Sequence, residues 1–368
     1  MTTIGLLSWL QVPSGAADVD GRDVATAPTL HLGPAVNIEG WFRWNKDTST
    51  WDDYMTVADV QELVDLGFES VRLALFPQYF MEDDGSVDLG RWEFVDAAVD
   101  RLTAAGLSVV VDLHSEVQVM RPFLKDSRYR AHYATFVGQV AALVSPRDPA
   151  VVGLSLFNEP HDTGSHWNRW QRRLYDAARA GAPATTLVLT GDDWGSAKGL
   201  IKHTTYIEDP NLVWDVHIYD PFAFTHQGAS WVGGVEQWLR KVPYPSTPKN
   251  VRSAVTKSLK AAPDALDDQV RDELSWYGHQ RWNAKRVARV MKKLARWSTA
   301  HQDARVWIGE FGVINSAPRP SAYRWWSDMR TAADAAGISW STWFWWDWAQ
   351  KYGGASGYDA GLARALLG

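Results

Sequence analysis

Short apolar runs rich in β-branched and aromatic residues recur along the chain, and between them apolar positions repeat at helical spacing. The runs cover 35–41, 70–75, 108–114, 151–157, 186–190, 212–219, 306–311 and 338–345, and they read as buried strands. Helical periodicity marks 57–66, 92–105, 129–144, 167–180, 272–297 and 323–336, with a weaker pattern at 195–202 after the fifth run. Gly67, Gly106 and Gly337 stand where a helix C-terminus needs a left-handed residue before the next strand. Eight βα units predict the α/β class, specifically a (β/α)8 TIM barrel, with an N-terminal extension at 1–33 and a single barrel domain at 34–368. An open doubly wound sheet would carry a glycine-rich phosphate turn after an early strand; here the first run leads into Gly40-Trp41-Phe42-Arg43-Trp44. The segment 220–268, after the sixth run, is too long for an ordinary βα loop and is rich in Pro and aromatic residues. It is expected to form the wall of a substrate cleft.

Composition narrows the function classes. The 368 residues are 46% hydrophobic, enough for a large core. The net charge of -6 comes from 37 basic and 43 acidic residues without a like-charge block, so nucleic acid is not an expected partner. The absence of cysteine removes disulfides, thiolate catalysis and cysteine-ligated metals. No apolar stretch reaches membrane-spanning length, and a soluble monomer is expected. The start has an apolar stretch at 4–12 and small residues at 14–17 without a preceding Lys or Arg, which resembles a signal peptide only weakly. The 22 Trp cluster at Trp41, Trp44 and Trp51, and again at Trp340, Trp343, Trp345, Trp346 and Trp348. Each can be core packing or a stacking face for a flat ligand.

Two carboxylates stand out. Glu159 ends Leu154-Ser155-Leu156-Phe157-Asn158-Glu159-Pro160, where Pro160 cannot continue a sheet ladder, and Glu310 lies in Val306-Trp307-Ile308-Gly309-Glu310-Phe311-Gly312. A glutamate in such surroundings needs an ion-pair partner or a chemical role. The strand ends of a barrel converge, and these ends are expected to bring together Arg72 after the second strand, His114, Asn158 with Glu159, His217 with Tyr219, Glu310, and Trp343 or alternatively Trp345. Taken singly, Arg72 could be a structural ion-pair partner, His114 a core histidine and Tyr219 rim packing. No short His spacing supports a metal site, no nucleophile-elbow motif supports serine chemistry, and no cofactor is implied.

In this order, Arg72, Asn158-Glu159-Pro160, His217-x-Tyr219 and Glu310 resemble glycoside hydrolase family 5, the cellulase-like retaining glycosidases, from about residue 34 onward. The resemblance implies Glu159 as general acid/base and Glu310 as nucleophile, with Arg72 and Tyr219 donating to Glu310 and Asn158 binding the sugar 2-hydroxyl. It also implies His114 and His217 lining the same subsite, Trp343 as its stacking floor, Asn37 as an orienting residue on the first strand, and Trp194 as an aromatic past the fifth. Ser115-Glu116-Val117 departs from the turn that many members have after this histidine, and Glu116 is an extra carboxylate without an assigned place. The implied activity is hydrolysis of a β-linked glucan by double displacement, with endo-β-1,4-glucanase as first expectation. β-Mannanase, exo-β-1,3-glucanase, xyloglucan hydrolysis and transglycosylation are alternatives on the same residues, and a non-catalytic carbohydrate-binding barrel is the alternative from another class. The partner is a β-linked poly- or oligosaccharide, a substrate class that favours a secreted or periplasmic location.

Overall fold

All eight apolar runs form strands in the computed structural model, which describes residues 29–44, 46–343 and 360–368. They are β1 (Ala35–Phe42), β2 (Ser70–Leu75), β3 (Ser108–Leu113), β4 (Val152–Ser155), β5 (Thr186–Thr190), β6 (Leu212–His217), β7 (Arg305–Phe311) and β8 (Ser339–Thr342). Every neighbouring pair is parallel, and β8 returns to β1, closing the barrel in sequence order. Several ladders are shorter than the apolar runs containing them. Leu156 and Phe157 are buried beyond the end of β4, because the apolar pattern reports burial rather than pairing.

The outer helices are α1 (Val57–Leu66), α2 (Leu89–Ala104), α3 (Val117–Lys125), α4 (Ser127–Val144), α5 (Trp167–Gly181), α6 (Ala197–His203), α7 (Phe222–Thr225), α8 (Arg252–Leu259), α9 (Asp267–Gln280), α10 (Ala284–Ala300), α11 (Arg319–Asp334) and α12 (Ala360–Leu367). Gly67, Gly106 and Gly337 all have the positive φ expected of them. The weak pattern after β5 is α6, whose Ser196 caps the Gly199 amide at 3.0 Å.

Two expectations need correction. The stretch 272–297 is not one helix: α9 ends at Arg281, which turns left-handed at φ 52, and Asn283 starts α10 by capping the Arg286 amide. Trp282 between them is buried, so the break keeps the apolar rhythm and is invisible to periodicity. After β3 there are two helices, with Asp126 ending α3 and capping α4. The segment 220–268 is ordered, holding α7, a 3-10 turn at Val235–Trp238 and α8.

Apolar packing occupies two places. One large cluster lies between strands and helices and absorbs Trp41 and Trp51, which are core residues and not ligand platforms. A second cluster fills the lower barrel, where Leu30 and Leu32 close on Val110, Val188, Val213 and Trp307. Above it the barrel interior changes from apolar to charged.

Candidate active site

The charged interior begins with Arg72. It is the third residue of β2, opposite Asn37 of β1, and so lies inside the strand rather than past its end as expected. The long side chain makes up the height: fully buried, it donates from Nη1 to Glu310 Oε1 at 2.6 Å and Asn37 Oδ1 at 3.0 Å, and from Nη2 to Asn158 Oδ1 at 2.7 Å. Asp112 Oδ2 lies 3.0 Å from Nη2 and Asp215 Oδ2 4.0 Å. A buried guanidinium is tolerable only with such partners, and burial opposed by Asp112, Glu310 and Asp215 leaves its pKa raised. Asn37 Nδ2 donates to Gly309 O at 2.8 Å, Ser341 Oγ at 2.9 Å and Thr342 O at 3.2 Å, tying β1 to β7 and β8.

Asp112 and Asp215 were not singled out in the sequence, although each stands two positions before a site histidine, Asp112-x-His114 and Asp215-x-His217. Period-two geometry puts each pair on the same side of its strand. Burial would raise the Asp112 carboxyl, but Arg72 and His114 hold it down at about 2. Asp112 Oδ2 lies 2.8 Å from His114 Nδ1, and burial together with Arg43 lowers the His114 pKa. Neutral His114 therefore donates from Nδ1, and its Nε2 accepts from Asn158 Nδ2 at 3.3 Å.

Glu310 is delivered by a bulge. Val216 pairs with Ile308 and His217 with Glu310, so Gly309 is an extra residue in β7. Its amide donates to Asp215 Oδ1 at 2.7 Å, and a Cβ there would lie 2.3 Å from that oxygen. The bulge re-aims the next side chain, and Glu310, 3% exposed, receives Arg72 on Oε1 and the Tyr219 hydroxyl on Oε2 at 2.8 Å. Burial and the Glu310 charge push the Tyr219 phenol well up, so it stays protonated and donates.

Glu159 follows Asn158 beyond β4 with φ 44, a left-handed conformation rare outside glycine. The strained turn before Pro160 faces the carboxylate inward while leaving its side chain 26% exposed, open to the cleft where Glu310 is sealed. His217 lies between them, with Nδ1 2.8 Å from Glu159 Oε1 and 3.5 Å from Glu310 Oε2, and Nε2 3.3 Å from Asp215 Oδ2. Burial alone would lower its pKa, but Glu310, Asp215 and Glu159 raise it well above the ordinary histidine value.

Glu159, His217 and Glu310 each place one ligand-type atom within 4.8 Å of the others, the one group among the described residues compact enough to hold a metal. Both Glu310 oxygens in this group already accept, from Arg72 and from Tyr219.

A cleft of about 630 Å³ opens over these groups, lined by Glu159, His217, Tyr219 and Glu310 below and by aromatic residues around it. Trp343 stacks against His114 at 5.6 Å between ring centroids; Trp345 lies outside the described residues. Trp194 lies on the His161 ring at 3.6 Å, and its amide donates to Pro160 O at 3.0 Å. Phe222 and Trp231, from the segment after β6, form the far wall, as expected of that segment. Glu116 also has a place: it and Glu39 hold the guanidinium of Arg43, which lies 5.6 Å from the Trp343 ring. Arg43 and Glu39 were missed because an ion pair between β1 and the loop after β3 leaves no periodic trace.

Comparison with known proteins agrees with this arrangement. Residues 33–349 match the family model described as cellulase, glycosyl hydrolase family 5. Endoglucanase 3 of Fibrobacter succinogenes is 25% identical over 338 residues, covering 85% of this chain; the chain spans about half of that relative, 49% of its length. Endoglucanase C of Acetivibrio thermocellus is 22% identical over 321 residues, covering 84% of this chain and 89% of the relative. Among solved structures, Cel5A of Thermotoga maritima in complex with cellobiose superposes with a TM-score of 0.72 at 20% identity, covering 91% of this chain and 97% of that one. A closed parallel barrel with this set of side chains at its mouth, and a family match across nearly all of it, lead to one assignment: the chain belongs to glycosyl hydrolase family 5, the cellulase family.

Proposed function

We propose that this protein is a retaining β-glycosidase that hydrolyses a β-linked glucan by two-step displacement, with β-1,4-linked glucan as the first substrate to test. The observation that carries the reading is the closeness of the two glutamates, since Glu159, His217 and Glu310 each place one atom within 4.8 Å of the others. Carboxyl groups about 5–5.5 Å apart leave no room for a water between nucleophile and sugar, which selects a covalent intermediate. Glu310, oriented by Arg72 and Tyr219, attacks the anomeric carbon while Glu159 protonates the departing oxygen. Water then enters on the vacated side, Glu159 takes its proton, and the glycosyl ester to Glu310 breaks with configuration restored. Asn158, held by Arg72 and His114, binds the 2-hydroxyl in this reading, a contact that strengthens as the oxocarbenium-like state forms. Trp343 offers a face to the same ring.

The endoglucanase names of the relatives support β-glucan, while Thermotoga maritima Cel5A has also been solved in complex with mannotriose. Mannan therefore belongs in the test. Incubation with β-1,4-glucan, β-1,3-glucan, mannan, xylan and xyloglucan, followed by product sizing and proton NMR of the first anomer released, decides the reading. Release of the β-anomer from a β-glucan is expected. First release of the α-anomer overturns retention, and binding without release would make the protein a carbohydrate-binding barrel.

A further inference from the structure

The two flanks of the cleft are built differently. Glu159 must touch the departing oxygen, so the flank beside it, after β5 and β6, receives the leaving group; the opposite flank, with His114 and Trp343, holds the sugar attacked by Glu310. On that second flank Arg43 lines the cleft. Among the described residues lining it, Arg43 and His114 are the two contributed by the β1–β3 third of the barrel. Arg43 is held from two sides, by Glu39, whose side chain is 2% exposed, and by Glu116 just before α3. Its guanidinium also lies against two indoles, 5.6 Å from the Trp343 ring and 5.8 Å from that of Trp44, which is exposed. Two carboxylates and two aromatic faces fix a long side chain in place far better than either alone.

We propose that Arg43, clamped by Glu39 and Glu116, ends the glycone side of the cleft after a single sugar ring, so that cleavage removes one sugar at a time from the non-reducing end of a β-linked chain. This rests on the glycosidase reading and sets its mode. Glu116, the carboxylate without a place in the sequence, is then the outer anchor of a specificity-determining wall.

The test compares kcat/KM on an aryl β-glucoside and an aryl β-cellobioside, which share a leaving group and differ by one glycone ring. In parallel, the first product from cellohexaose and laminarihexaose labelled at the reducing end is sized. The native enzyme should favour the glucoside and release a single glucose first. In E39Q/R43Q, which removes the clamped ion pair without leaving a lone buried charge, the cellobioside-to-glucoside ratio should rise about tenfold. A native enzyme that prefers the cellobioside about tenfold, or whose first product carries two or more sugars, overturns the proposal whether or not the variant folds. So does an unchanged ratio in a folded variant. Turnover of neither aryl glycoside nor either hexaose defeats the glycosidase reading itself, an outcome distinct from internal cutting by an active enzyme.

Discussion

Glu310 and Glu159 differ in the ways that distinct roles require. Glu310 is sealed and receives two donors, whereas Glu159 opens to the cleft and meets His217. With Glu310 as the proposed nucleophile, Glu310→Ala should lower kcat by about 10⁴-fold or more on every substrate, and it should also lower the thermal melt, since Arg72 and Tyr219 lose a buried acceptor. Glu159→Ala should behave differently. Loss of the acid costs roughly 10²–10⁴-fold where the leaving group needs a proton, and far less where an activated phenol departs unaided. Steady-state kinetics on polysaccharide and on dinitrophenyl glycosides separate the two variants, and equal losses on both substrates for Glu159→Ala would remove it from the acid role. Glu159 and Glu310 were legible because a carboxylate in an apolar run followed by Pro or Gly is unusual. Asp112 and Asp215 were not, since a single charge in a strand acquires meaning from its neighbour on another strand, and Glu39 and Arg43 were not, since their third partner, Glu116, comes from the loop after β3.

Elements carry these residues by their irregularities. The β7 bulge exists because Gly309 admits the Asp215 carboxylate where a Cβ would lie 2.3 Å from it. Gly309→Ala must therefore push Asp215 away, breaking the 2.7 Å bond to the 309 amide and displacing Glu310. A loss of about 1–3 kcal/mol in urea unfolding, with a fall in kcat, is the expected outcome; an active variant of unchanged stability would show that the bulge does not depend on glycine. The segment after β6 docks through His226, which stacks on Phe222 at 3.8 Å and meets Tyr219 edge-on at 5.1 Å. Burial lowers its pKa from 6.5 to about 4. An unfolded histidine takes up its proton near pH 6.5 while the folded one resists, so the neutral ring's contribution is complete above 6.5 and is lost as pH falls toward 4. Native protein should thus lose on the order of 2 kcal/mol more than His226→Phe across that interval, measured by denaturant melts at each pH. The sequence indicated a cleft wall here from length and aromatic content. It could not indicate which histidine would lose solvent, because that depends on Phe222 and Tyr219 packing against it.

At the scale of the molecule, the barrel interior is stratified, with an apolar floor, a charged middle layer around Arg72, and the two glutamates at the mouth. The floor is completed from outside the sheet. Leu30 and Leu32 enter from below, and Gly153 of β4 leaves room for Leu30, whose Cδ2 would lie 2.6 Å from a Cβ at that position. Leu30→Ala should cost about 2–4 kcal/mol by opening a cavity under the charged layer, read as a lower denaturation midpoint, with kcat preserved because the mouth is untouched. A stability unchanged by this substitution would mean that the floor closes without the plug.

By itself the sequence determined the number of βα units, their parallel order and the position of both glutamates, since these follow from local periodicity, breakers and carboxylates out of place in apolar runs. Only the tertiary structure decided that Arg72 reaches the mouth from within its strand, that His217 lies between three carboxylates that raise its pKa, and that Glu116 and Glu39 share Arg43. The division has a physical cause. Hydrophobic burial is a property of one residue and repeats along the chain, whereas the state of a buried charge is set by partners that closure brings together from strands far apart in sequence.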